Sequence, residues 1–250
     1  MPPDDEPRWP LDGSRAADAI TARVRGVPPG EVPGRLCVMA MGLLAVAGAS
    51  ASLRVEGVPV RLCASGDRAS YLAEIQATLG AGPCVSAAES GVPVLAGDLT
   101  CGADAGRWPV FAQQATAVGV RAVYALPLGG DAGCVGTFDL YRDTPGALTD
   151  PQLRTARLMA GAMTGAVMAL PRGQEAWLDE LAGDHDEVHR AVGMIMAQLR
   201  VGADEALARL RADAFARGRT VHDAALEVLA HGRRFDRDRR GPPDGPEESC

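Results

Sequence analysis

Between Val188 and Phe235 three helical patterns follow one another with almost no chain between them. Val188, Ala191, Val192, Ile195, Met196 and Leu199 recur at the spacing of one helix face. Ala206, Leu207, Leu210 and Ala214 repeat that spacing, and Val221, Ala224, Ala225, Val228 and Leu229 repeat it again. Each pattern is apolar on one stripe only. The short connections turn the three stripes toward each other, so they close one small core. The chain therefore ends in a three-helix bundle, and the longer part upstream must fold around a core of its own.

The connections carry turn chemistry. Gly218 suits a helix C-terminus, and Thr220 with Asp223 forms a capping box in which Asp replaces Glu. Gly202-Ala203 stands where a Ser or Thr cap would normally precede Asp204-Glu205.

Upstream, helical and extended patterns alternate. A helix is expected over Glu31 to Ala49, with Leu36, Met39, Leu43, Leu44 and Ala47 near one face. Strands follow at Ala51 to Val55 and Val58 to Ala64; in the second, Val58, Val60 and Leu62 alternate with Pro59, Arg61 and Cys63. A helix through Leu79, a glycine-rich turn at Gly80 to Pro83, a short helix and a strand at Pro93 to Ala96 come next. A Gly/Asp loop then leads to a helix opened by Arg107-Trp108-Pro109. Strands at Val120 to Leu128 and Gly133 to Tyr141 flank the hairpin signal Gly129-Gly130-Asp131. Thr149 caps a long helix to about Leu170, with Pro151 in its first turn. This order predicts an α+β unit, an antiparallel sheet with flanking helices.

The domains expected are a flexible tail at 1–30, in which Arg15 to Val27 can form a short helix, a sheet domain at 31–170, a helical linker at 171–184, the bundle at 185–238 and a disordered tail at 239–250. The linker's Trp177, Leu178 and Leu181 form either a dimer seam or a cap on the bundle.

Hydrophobic residues make up 47% of the 250 residues and aromatics only 4%, so the cores must be built mainly from Ala, Val, Leu and Met. The longest apolar-rich stretch, Leu36 to Ala51, is shorter than the roughly 20 residues that span a bilayer. The N-terminus is proline-rich and acidic and lacks the pattern of a signal peptide. A soluble, cytoplasmic protein without a membrane partner is expected.

All 25 basic residues are Arg. Residues 1–184 hold 14 Arg against 20 acids, while residues 185–240 hold 11 Arg against 9 acids. A weakly basic bundle beside an acidic sheet domain is compatible with nucleic-acid binding, and equally with a mixed solvated surface. The six cysteines contain no CxxC pair, and buried free thiols are expected.

The bundle resembles the ANTAR domain, the RNA-binding output module of bacterial antitermination regulators. The blocks that carry the resemblance are Ala191-Val192-Gly193-Met194-Ile195-Met196, Glu205-Ala206-Leu207, Leu210-Arg211, Ala214-Phe215, Gly218-Arg219-Thr220 and Asp223-Ala224-Ala225. The upstream unit resembles the GAF fold. There the blocks are Gln76 with Leu79-Gly80-Ala81-Gly82-Pro83-Cys84, Pro93-Val94, Asp98-Leu99, Arg107-Trp108-Pro109, Gly119-Val120-Arg121, Ala125-Leu126-Pro127-Leu128 and Gly136 to Tyr141.

The resemblance implies an RNA-binding antitermination regulator, a homodimer that grips hairpins in a nascent leader transcript. A small-molecule or protein signal to the GAF unit would control it, passed along the helix around Thr149 to Leu181. The candidate RNA contacts are Arg190, Val192, Met196, Gln198, Arg211, Arg217, Arg219 and His222. Guanidinium groups pair with phosphate and stack on loop bases. Val192 stands where many members of the family carry Lys or Thr. Asp98, Trp108 and Phe111 are candidate ligand-lining residues, with the two aromatics equally able to fill core. No catalytic triad, HExxH or phosphate-loop pattern is present, so no enzyme activity is expected. The sheet domain has no His, and no cofactor or metal is expected. A GAF module whose bundle mediates protein contacts or DNA binding is the other reading.

Overall fold

The structure, a computed structural model, describes residues 13–55, 58–130, 133–170, 175–231 and Phe235, with residues 175–186 described by their backbone. The chain divides into two compact units, Met1–His185 and Asp186–Cys250.

In the first unit five strands, β1 (Gly48–Val55), β2 (Val58–Ala64), β3 (Val94–Ala96), β4 (Ala122–Gly130) and β5 (Gly133–Arg142), form one antiparallel sheet in the order β2-β1-β5-β4-β3. Helices α1 (Gly13–Val24), α2 (Val32–Leu44) and α7 (Asp150–Met168) supply one layer, and α3 (Asp67–Leu79), α4 (Pro83–Ser90), α5 (Gly102–Arg107) and α6 (Pro109–Ala117) follow in the segments between β2 and β4. Because both faces are covered, β4 is buried almost continuously rather than alternately. Tyr124, Leu126, Leu128, Phe138 and Leu140 meet Leu36, Leu44 and Met159 in one core. Val123, Ala125 and Tyr141 point the other way and meet Leu72, Trp108 and Phe111.

Local signals place the boundaries. Thr149 and Gln152 form a reciprocal capping box at the start of α7, with Pro151 in the first turn. Ala45, at φ 49°, stops α2 earlier than the periodicity suggested, and β1 begins already at Gly48. The loop before Trp108 contains the short helix α5, which the sequence pattern did not reveal. The tail reading fails for residues 13–24. They form α1, whose Ala16 and Ile20 are buried, with Ile20 in the core beside α2 and α7. The short helix that the pattern of Arg15 to Val27 allowed is the one that forms, and burial of Ala16 and Ile20 is what makes it part of the domain.

Strand β2 departs from its expected alternation. Ala51 pairs with Cys63 but Ser52 pairs with Arg61, so Leu62 is an extra residue, a β-bulge. Leu62 and Cys63 both pack against the α2 side of the sheet as a result. A regular strand would have sent them to opposite faces.

The linker and the first bundle helix are a single helix, α8 (Glu175–Leu199), followed by α9 (Ala203–Ala216) and α10 (Val221–His231). Ile195, Leu199, Leu210, Ala225 and Val228 form the buried core of the second unit. The Asp223 carboxylate accepts from Thr220 N at 3.3 Å, and Thr220 Oγ1 accepts from Asp223 N at 3.0 Å, completing the expected cap. Gly202 caps α9 without a side-chain hydrogen bond. The side chains of Trp177, Leu178 and Leu181, and the proposed tails at 1–12 and 239–250, lie outside the described residues. Among the described residues, no helix is long and apolar enough to cross a membrane.

Gly136 stands on β5 opposite Leu53 of β1, where the neighbouring backbone leaves no room for a side chain. A Cβ there would overlap the Ser52 carbonyl oxygen and stand 3.0 Å from Leu53 Cα. Backbone cannot yield as a flexible side chain can. Gly136→Ala is expected to lower unfolding free energy by about 1–3 kcal/mol, the scale of overpacking. Urea denaturation followed by circular dichroism checks this.

Candidate functional site

Beneath α3 and α4, next to the apolar core, strands β1 and β5 of the first unit carry buried polar side chains. Ser50 and Ser52 on β1 and Thr137 and Asp139 on β5 are all buried, as is Gln76 on α3. Ser50 pairs in register with Asp139, and Ser52 with Thr137, so the four share one face. Gln76 ties the group together. Its Nε2 donates to Asp139 Oδ2 at 3.4 Å, and its Oε1 accepts from Cys84 N at 2.8 Å. Gly82 is required for this: a Cβ there would collide with the Gln76 amide. The Tyr141 hydroxyl lies 2.7 Å from Ser50 Oγ and 3.5 Å from Asp139 Oδ2.

Asp139 Oδ1 has no hydrogen-bond partner among the described residues. Burial of the carboxylate raises its pKa to about 7, against the smaller opposing pull of Thr137, Gln76 and Tyr141. Burial and the nearby Asp139 charge push the Cys84 thiol and the Tyr141 hydroxyl well up. Next to this cluster, Ser52, Cys84, Val85, Gly136 and Thr137 border a cavity of about 20 Å³. That is room for a single water.

The residues singled out from the sequence lie elsewhere in this unit. Trp108 and Phe111 are 6% and 1% exposed and belong to the core. Trp108 Nε1 donates to Ser86 Oγ at 3.3 Å. Asp98 sits in a local turn, where its carboxylate accepts from Thr100 N at 2.8 Å, Thr100 Oγ1 at 2.5 Å and Cys101 Sγ at 3.3 Å. The Thr100 hydroxyl bond is the first reason its pKa is lowered. Sequence reading missed Asp139, although a lone acid in the apolar run Phe138 to Tyr141 was a visible signal.

In the second unit the candidate contacts divide into three groups. Val192 is 7% exposed and packs in the bundle core, so the surface contact expected of it is corrected: its face is the one shared with Val188, Ala191 and Ile195. Met196 packs partly against that core. Gln198 is exposed, and its Oε1 accepts from Phe235 N at 3.1 Å.

Around the turn between α9 and α10 the cations meet acids. Arg217 lies 3.3 Å from Asp213 and 3.6 Å from Glu227. Arg219 grips both carboxylate oxygens of Glu227, one of them at 2.9 Å. That contact raises the Arg219 pKa further. His222 lies 3.5 Å from Glu187 across the bundle. Arg211 is half-buried; its Nε has no hydrogen-bond partner, and desolvation lowers its pKa.

The exposed face of α8 is different. Arg190, Gly193, Ala197 and Arg200 follow one another at helical spacing and are all exposed. Arg190 and Arg200 form no ion pair among the described residues. Arg200 continues past the end of α8 at φ 57°. Two cations thus flank a smooth patch made by a Gly and an Ala.

Asp139 gives the first unit a pH dependence. Its folded pKa, about 7, lies above its unfolded value of about 3.9. The stability it contributes is therefore fully present below pH ~4 and is lost as pH rises through ~7, at about 1.4 kcal/mol per unit of difference. Asp139→Asn should flatten the urea midpoint between pH 4 and 8 and exceed the wild-type midpoint at pH 8.

Comparison with known proteins agrees with this division. Residues 178–229 match the ANTAR domain family. The GAF domain of an Acinetobacter phosphoenolpyruvate-protein phosphotransferase superposes with a TM-score of 0.51 at 9% identity, covering 62% of this chain and 92% of that one. The GAF domain of the corresponding Coxiella burnetii protein does so with a TM-score of 0.50 at 13% identity, covering 63% and 93%. At such identities the likeness speaks to the fold alone. No curated protein matches the sequence. The chain joins a GAF-fold unit to an ANTAR domain.

Proposed function

We propose that this protein is a non-enzymatic, cytoplasmic RNA-binding regulator. In this reading the ANTAR domain grips hairpins in nascent leader RNA and prevents a terminator from forming, while the GAF unit senses a small-molecule or protein signal. The observation that carries the reading is the family match at 178–229 falling on a bundle whose α8 face is cationic and open. Arg190 and Arg200 would pair with phosphates, and the small Gly193 and Ala197 between them would let the RNA backbone approach closely. A homodimer belongs to the same reading. Val38 on α2 and Met168 on α7 are 60% and 61% exposed, apolar surface suited to a second copy.

The pairing around the α9–α10 turn bears on affinity. Glu227 engages both Arg217 and Arg219, so these cations are partly neutralised before RNA arrives. They would contribute less to counterion release than their number suggests.

Gel-shift titration against a two-hairpin leader RNA, repeated across salt, is the test. Arg190→Ala and Arg200→Ala should each weaken binding several-fold and lower the salt slope by about 0.7–0.9. Unchanged affinity and slope in both would refute the α8 interface. Tighter binding to promoter duplex than to the hairpins would favour DNA as the target. Glu227→Gln should act in the opposite sense, tightening binding and steepening the salt dependence.

A further inference from the structure

Cys37 and Cys63 come together across the α2 side of the sheet. Their sulfurs are 3.3 Å apart and share a hydrogen bond, although 26 positions separate them in sequence. Cys37 is fully buried on α2, and Cys63 is partly exposed on β2, the edge strand. The bulge at Leu62 creates this encounter. In a regular ladder Leu62 would pair with Ala51 and Cys63 with Ser50, so Cys63 would face α3 and its sulfur would stand on the far side of the sheet. The other described thiols differ. Cys84 is buried beside Gln76, Cys101 donates to Asp98, and Cys134 donates to the Gly136 carbonyl at 3.1 Å. Among the described residues no second pair of thiols is in contact.

We propose that Cys37 and Cys63 are a reversible disulfide-forming site in the GAF unit, whose oxidant is a hydroperoxide. Cys63, the more accessible of the two, reacts first. Its sulfur attacks one peroxide oxygen, the O–O bond breaks, and a sulfenic acid and one water result. Cys37 then attacks the Cys63 sulfur; the S–S bond forms, the S–O bond breaks, and hydroxide leaves with the Cys37 proton as a second water. Two thiols are oxidised and one hydrogen peroxide is reduced to two waters. An S–S bond is about 2.05 Å long, so closure from 3.3 Å asks the sulfurs to move by little more than an ångström.

The electrostatics suit this division of roles. The hydrogen bond to Cys63 and then burial hold the Cys37 thiol far above its ordinary pKa. Cys37 therefore stays protonated and protected until its neighbour is activated. The bond would pin α2 to the sheet edge, and α2 packs against α7 in the same layer. An oxidised GAF unit would thus hold its helical layer more tightly than a reduced one.

The experiment uses the full chain, reduced, freed of reductant and treated with hydrogen peroxide. It is then denatured, alkylated and mapped by peptide mass spectrometry. The expected result is loss of two of the six thiols and one cross-linked peptide pair joining Cys37 to Cys63, two hydrogens lighter and reversed by dithiothreitol. Oxidation should also raise the thermal midpoint, because the bond closes a loop in the unfolded chain. Cys63→Ser should abolish both effects, and Cys84→Ser should leave both intact. Full alkylation of Cys37 and Cys63 after peroxide would overturn the proposal. So would Cys63 ending as a sulfinic acid beside an unmodified Cys37. Wild-type mapping decides the matter even if Cys63→Ser does not fold.

Discussion

The first unit depends on how Gln76 holds a buried carboxylate. Asp139 sits in the middle of the sheet with one oxygen unpartnered, a costly placement for a charged group. Gln76 bonds to Asp139 with its amide nitrogen and to the start of α4 with its amide oxygen. One side chain therefore connects α3, α4 and β5. Tyr141 extends the same group to Ser50 on β1. Beside the apolar core of the same face, these polar groups are held through directed bonds. The space left over is one water in size.

The opposite face is built differently. Apolar side chains from β4 and β5 pack against α1, α2 and α7, with the two thiols at the margin of that layer. One sheet thus carries a chemically responsive element on each side: a carboxyl group that titrates near neutrality and a pair of sulfurs within reach of each other. Both arise from β-strand register, the first from the β1–β5 pairing and the second from the β1–β2 bulge.

In the bundle, sequence periodicity and structure agree on the core but not on the surface. The residues at helical spacing became the core, Val192 among them, because α8 needs Ala191 and Val192 together to cover the apolar face. The cations could be counted in the sequence, but not their partners. Arg217 and Arg219 meet Glu227 because α10 folds back beside α9, placing positions eight and ten residues apart in contact. The open cations, Arg190 and Arg200, became distinct only once neighbouring acids were located.

What the sequence determined by itself was local: helix caps at Thr149 and Thr220, the turn at Gly218, the three apolar stripes, and the order of strands and helices. These rest on interactions within a few residues, which is why motif and periodicity carry them. What only the tertiary structure decided was long-range. The bulge that leaves Leu62 unpaired puts Cys63 opposite Ala51 and toward Cys37, against the alternation that the sequence suggested. The encounter of Gln76 with Asp139 spans 63 positions. Pairings of that kind depend on strand register, and a shift of one residue moves every side chain to the other face.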